Sequence, residues 1–208
     1  MNYIYLIFVL NLISYSLSAS VFLFSNDLKK NKKETIVNSS FFLAGGATYL
    51  YLDRVWWSEN NNQFSFSSNN DFAYARNLDK VGHFYGGYFT NELFNNAFLW
   101  ADSEKPLILA LRNSIIIQSV IEVKDAYSPN YGFSIYDLIS GAAGSYFHYI
   151  KKKSNKLNYI DIKFSYFKRS NKYWQLEKER GKLASSYEFF NDYVNQTYWL
   201  TCKLNKIL

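Results

Sequence analysis

Cysteine is almost missing from this chain: Cys202 is the single one in 208 residues. That excludes a disulfide scaffold and a zinc module built on paired thiolates. Histidine is nearly as scarce, with two, and no paired metal-binding histidine motif, phosphate-cradling glycine loop or nucleophile elbow is present. No internal repeat is visible, and no Lys or Arg precedes Asp27. What the chain has in abundance is aromatic rings. Tyr, Phe and Trp make up 42 residues, far too much burial potential for a disordered chain, and the length suits one domain with a real core.

The net charge of +6 suits an anionic surface, either phospholipid headgroups or nucleic acid. Its lysines fall in patches, Lys29, Lys30, Lys32 and Lys33 in one and Lys151, Lys152, Lys153 and Lys156 in another, and solvated loops are the plain reading of both. Most aromatics lie in apolar helical stretches rather than alternating beside Lys or Arg on strands. Membrane lipid or another envelope component is therefore the expected partner, and nucleic acid is not.

Residues 4 to 24 are uncharged and apolar, and Ser16-Leu17-Ser18-Ala19-Ser20 supplies the small residues of a cleavage point. Residues 1–19 read as a signal peptide, which implies export to the periplasm or outer membrane. The alternative is an uncleaved N-terminal anchor in the inner membrane, because a run of about 21 residues spans a bilayer of about 30 Å.

The rest reads as a mainly α fold. After a lysine-rich linker at 20–35, residues 36–208 form one helical domain with a four-helix, bundle-like core over about 36–150. Helices are expected at 36–57, 79–99, 106–124 and 134–150, with Pro106 in a first turn, where its missing N–H costs nothing. In the first, Leu43-Ala44-Gly45-Gly46-Ala47 would let a neighbouring backbone approach closely. The third is apolar almost all round, as suits a central or lipid-facing helix. The Asn/Ser-rich stretch 58–77 is a loop interrupted by Phe64-Ser65-Phe66, a short strand or extended rim. Residues 170–190 read as a charged helix or loop. Ile160, Ile162, Phe164 and Tyr166 alternate with polar residues, and a second alternating run holds Tyr198, Leu200, Cys202 and Leu204. These predict a small antiparallel β element at about 159–167 and 197–204.

Three of these helices carry charged or imidazole groups on one face. Asp79 and His83 are four apart, Glu122 and Asp125 three apart, and Asp137, Gly141, Gly144 and His148 follow spacings of four, three and four. Some have ordinary explanations. Asp79 suits an N-cap, Ser134 to Asp137 has capping-box spacing, His83 suits a hydrogen-bonded core position, and His148, beside the lysines, is expected at the surface. Glu122 and Asp125 face the negative end of a helix dipole, an arrangement costing roughly 0.3 to 1 kcal/mol, so they need compensation. Lys80, Lys124 and Arg112 are the candidate ion-pair partners; a bound cation or a proton-transfer role is the alternative.

The stretches Asp79-Lys80-Val81-Gly82-His83-Phe84, Glu122-Val123-Lys124-Asp125 and Gly132-Phe133-Ser134-Ile135-Tyr136-Asp137-Leu138, with Gly141 and Gly144 beyond, resemble the YfiM-like family of predicted periplasmic lipoproteins. Asp192-Tyr193 and Gln196-Thr197-Tyr198-Trp199-Leu200 look like that family's C-terminal signature, so the resemblance runs over about 36–202. A fainter similarity, confined to the Asp-Lys-x-x-His and Glu to Asp to Gly stretches, is to VanZ-like membrane proteins. The resemblance implies an envelope protein with a helical core, in which Asp79, Lys80, His83, Glu122, Asp125 and Asp137 match the motif positions. Ala19 and Ser20 stand where a lipid-bearing cysteine would be expected, so lipidation is not.

The expected function is that of an exported, membrane-associated envelope protein with a structural or interaction role, built on a buried Asp/His/Glu network. The alternative is an envelope enzyme acting on a lipid-linked or cell-wall substrate, with His83 as general base and Glu122, Asp125 and Asp137 orienting it or holding a metal. The sequence leaves the cofactor unknown; a divalent cation held by nitrogen and oxygen ligands is one use of such a cluster.

Overall fold

A computed structural model describes residues 32–55, 63–67, 71, 74–128, 131–167 and 192–203. The signal-peptide and anchor readings and the charged segment 170–190 fall outside them. Four helices come first: α1 (Lys32–Val55), α2 (Leu78–Trp100), α3 (Pro106–Asp125) and α4 (Ile135–Lys153). An antiparallel pair follows, β1 (Ile160–Tyr166) and β2 (Gln196–Cys202), in register from Ile160 opposite Cys202 to Tyr166 opposite Gln196. The mainly α class with a C-terminal strand pair is thus the observed architecture. Helix α1 starts four residues earlier than its hydrophobic pattern suggested, because Lys32 and Lys33 lie inside its first turn.

The helix ends have local causes. Pro106 opens α3, where its fixed φ fits and its absent N–H is not needed. Ser134 caps α4, its Oγ accepting the Asp137 N–H at 3.1 Å. Helix α2 opens differently. Ala75, Arg76 and Asn77 have φ of 47°, 53° and 65°, three successive left-handed residues just before Leu78. Such a conformation costs roughly 1–2 kcal/mol per non-glycine residue, so the contacts on either side must hold it. Asn77 therefore occupies the N-cap position, and Asp79, expected there, sits within the first turn.

Helices α2 and α4 cross in direct backbone contact. A Cβ on Gly87 would overlap the Gly141 carbonyl, and one on Gly144 would overlap the Phe84 carbonyl. Among the described residues the corresponding expectation for α1 is not met: Gly45 has only the Phe41 ring nearby, 4.0 Å away, and Gly46 has no neighbour within 4 Å. Small residues permit close approach, but the helix that makes it is chosen by where the polar groups lie.

The interior is mostly polar. Among the described residues, seven buried apolar residues stand against fourteen buried polar or charged ones. The apolar core sits where α1 meets α2 and α3, around Val37, Phe94, Phe98, Ala101 and Ala110, with Phe41 edge-on to Phe94 at 4.6 Å. Elsewhere the polarity is inverted. The buried face of α3 is Ala110, Asn113, Ser114, Gln118 and Glu122, while Ile108, Ile116 and Val120 are exposed. That of α4 is Asp137, Gly141, Gly144, Ser145, His148 and Lys151, with Ile135, Ile139 and Tyr146 exposed.

The strand pair packs on α2 through Tyr85, whose ring lies 5.5 Å from Phe164 and 5.9 Å from Tyr198. Phe64-Ser65-Phe66 forms an extended rim. Ser65 N–H donates to the Ala126 carbonyl at 2.8 Å, and Phe133 N–H to the Ser65 carbonyl at 2.9 Å. Gly132 makes this approach feasible: its φ is +110° and an added Cβ would lie 2.8 Å from Ser67 N.

Candidate functional site

The opening turn of α2, the end of α3 and the start of α4 meet at one end of the bundle. Lys80 is central there, its Nζ lying 2.6 Å from Asp71 Oδ1, 2.9 Å from Asp137 Oδ1 and 3.3 Å from Asp79 Oδ2. One ammonium thus faces three carboxylates, all of them nearly buried. Ser134 ties the ring together, donating its hydroxyl to Asp71 Oδ2 at 2.8 Å while accepting from Asp137 N–H. Burial alone would lower the Lys80 pKa, but its bonds to Asp71 and Asp137 hold it above the usual lysine range. Burial would likewise raise Asp71, yet Lys80 and Ser134 keep its carboxyl below the ordinary range.

His83 lies one turn along from Asp79, facing two acids. Its Nδ1 is 3.4 Å from Glu122 Oε1 and its Nε2 3.8 Å from Asp79 Oδ1. Glu122 is only 1 % exposed, and among the described residues it meets no lysine or arginine; Oε2 accepts the Ser134 N–H at 3.2 Å, and Oε1 accepts no hydrogen bond from them. Burial first, then the charges of Asp125 and Asp137, push the Glu122 carboxyl up to about 9. Asp137 is raised in the same direction, by burial and then by Asp79. The ion pairs expected for Glu122 are spent elsewhere: Lys80 as above, Lys124 on Asp53 at 2.5 Å, and Arg112 on the Asn113 side chain at 3.2 Å.

Of the residues singled out by spacing, the structure brings Asp79, Lys80, His83, Glu122 and Asp137 together. Asp125 stands at the rim: its carbonyl accepts the N–H groups of Ser128 and Gly132, both at 2.9 Å, and its charge acts on Glu122. Sequence reasoning missed Asp71 and Tyr193. Asp71 lies in the Asn/Ser-rich stretch of the sequence, which has no periodicity to betray it. Tyr193 comes from the far end of the chain and donates to Asp79 Oδ1 at 2.8 Å; its only signal was membership of the Asp192-Tyr193 motif.

His148 is fully buried, contrary to its expected surface position. Its Nδ1 lies 2.7 Å from Asn91 Oδ1, and Asn91 Nδ2 donates to the Ser145 carbonyl at 3.0 Å, which orients the amide and places the imidazole proton on Nδ1. Burial, then Lys152 and Lys151, lower its pKa to about 4, so the ring is neutral. The neighbouring lysines mislead because Lys151 also turns inward, donating to Tyr88 OH at 2.9 Å and pairing with Asp161 on β1.

Fold and site together define a small helical protein with a polar interior, a lysine-centred carboxylate cluster and a strand pair docked on its flank. A family model described as "Predicted periplasmic lipoprotein (DUF2279)" matches residues 66–153. That stretch runs from the Phe66 rim to the end of α4 and holds the whole cluster except Tyr193. The match is narrower than the span of about 36–202 expected from the motifs, and it supports neither the YfiM-like name nor the likeness to VanZ-like proteins. No curated protein and no solved structure matches the chain.

Proposed function

We propose that this chain is an exported protein of the cell envelope, seated against membrane lipid, whose Asp-Lys-His-Glu cluster is a structural network holding three helices and the strand pair together. The family description supports export. The observation that carries lipid contact is the inverted polarity: Asn113, Ser114, Gln118 and Glu122 are inside while Ile108, Ile116 and Val120 face outward. In water this distribution loses the hydrophobic driving force; against hydrocarbon it is the favourable one. Close glycine contacts and polar side chains between helices are also how helices associate in an apolar medium.

Helix α3 is long and apolar enough to cross a membrane. The strand pair argues for a seat on the bilayer instead, because each described strand has one partner and an unpaired edge does not sit in hydrocarbon. The strand side of α2 then faces water, and the outward side of α3 meets lipid. Alkaline carbonate extraction of the full chain tests this. The protein is expected to stay with membranes and to be released by detergent, and Ile116→Asp with Val120→Asp is expected to shift it toward the soluble fraction. Full release of the unmodified protein by carbonate would refute lipid seating.

A second reading has its own observation. The Glu122 carboxyl, neutral at pH 7 and buried beside His83, is placed as an acid next to an imidazole, the arrangement an envelope enzyme would need with His83 as general base. On this reading His83→Ala keeps the fold and the membrane fractionation yet fails to complement a deletion strain. On the structural reading, the same substitution lowers the amount of folded protein.

A further inference from the structure

We propose that Asp79, His83 and Asp137 bind a divalent first-row cation such as Zn2+ or Mn2+, with Glu122 as the positioning residue for His83. One ligand atom from each of the three lies within 4.8 Å of the others. Ligands about 2.0–2.2 Å from a shared ion stand roughly 3–3.5 Å apart, so side-chain rotations of about 1 Å close the set. One imidazole nitrogen and two carboxylate oxygens suit a borderline cation, with water completing the shell.

Charge points the same way. Asp71, Asp79 and Asp137 are each no more than 13 % exposed, and among the described lysines and arginines Lys80, 11 % exposed, is the one bonded among them. Lys80 binds Asp79 through Oδ2, while the face of Asp79 toward His83 carries Oδ1. A second positive charge on that face reduces the remaining repulsion.

Glu122 supplies an independent observation. It is 1 % exposed, its Oε1 has no hydrogen bond among the described residues, and that oxygen lies 3.4 Å from His83 Nδ1. A histidine ligating through Nε2 donates its Nδ1–H to a carboxylate of this kind, which fixes the tautomer and strengthens the ligand. With its Nδ1–H turned to Glu122, a ligating His83 would present Nε2 on the side of Asp79, whose Oδ1 is 3.8 Å away.

The inference rests on the cluster that the proposed function treats as structural, so its test is independent of membrane behaviour. Full-length protein in detergent, stripped with a chelator and dialysed, is titrated with Zn2+ and with Mn2+ by calorimetry. One saturable site per chain is expected for at least one ion. His83→Ala is expected to weaken it at least 100-fold and Glu122→Gln 10- to 100-fold, with circular dichroism of the stripped variants checking the fold. Absence of saturable binding to unmodified protein overturns the inference, and so does unchanged affinity in a folded His83→Ala variant. Either failure leaves carbonate extraction to decide the lipid reading by itself.

Discussion

Glu122 Oε2 accepts the main-chain N–H of Ser134 at 3.2 Å, the bond that a reciprocal helix cap would make with the carboxylate of Asp137. Half of the cap is local, since Ser134 Oγ accepts from Asp137 N–H; the other half comes from a different helix. The exchange releases the Asp137 carboxylate to pair with Lys80. One substitution of acceptors thus joins α3 to α4 and α4 to α2.

Lys80→Met should therefore act on the whole bundle end. It leaves three nearly buried carboxylates without their cation, and removing one member of a buried charge set typically costs about 3–5 kcal/mol. Chemical denaturation should show a loss of that order. Lys80→Arg should recover part of it, because charge is retained while the branching point moves. Equal stability of Lys80→Met and unmodified protein would mean that the cluster is not structural.

The glycines give a contrast within one fold. Gly144→Ala places a methyl on the Phe84 carbonyl, backbone against backbone, where no side chain can rotate away. Overpacking of this kind costs typically 1–3 kcal/mol and here should reach or exceed the upper end. Gly46→Ala adds its methyl in open space on a helix, where alanine is favoured by about 0.8–1 kcal/mol, so stability should be unchanged or higher. Melting curves of the two variants in one detergent compare them directly.

Helix α4 shows which parts of this arrangement are legible in a sequence. The spacing of Asp137, Gly141, Gly144 and His148 placed them on one face, and that face is buried. His148 is expected outward from its lysine neighbours alone, and spacing carries no sign that Lys151 turns inward beside it. The cluster was legible where its members repeat at helical intervals, as Asp79 with His83. Asp71 was not, because what places it are its bonds to Lys80 and Ser134, from two helix ends, and such long-range partners have no periodic signature.

His148 predicts a pH dependence with a defined sign. Its pKa is about 4 in the folded chain against 6.5 for the free side chain, so the unfolded chain binds the proton that the folded chain refuses. The contribution of the neutral ring is complete above pH 6.5 and falls as pH drops toward 4, at roughly 1.4 kcal/mol per pH unit and up to about 3 kcal/mol in all. Comparing unfolding of unmodified protein with His148→Gln, which keeps a donor for Asn91, isolates the effect. The unmodified protein should lose stability relative to the variant between pH 6.5 and 4; parallel curves across that range would place the ring in contact with water.

Tyr193 ties the strand pair to the cluster by a single hydroxyl, 2.8 Å from Asp79 Oδ1, while Lys151 and Asp161 hold the pair to the end of α4. Tyr193→Phe keeps the ring and removes one bond to a charged acceptor, a loss of about 1.5–3 kcal/mol where the acceptor stays buried. That energy should fall unequally. Amide exchange should quicken in β2, from Gln196 to Cys202, more than in α3, because the helices keep their own glycine contacts and the Lys80 ring. Asp161→Asn should loosen the opposite end of the same strands, while Lys151 keeps its bond to Tyr88. Since the two latches sit at opposite ends of the pair, their effects on exchange in β2 should exceed the sum of the single variants when combined; simple additivity would mean that each end docks independently of the other.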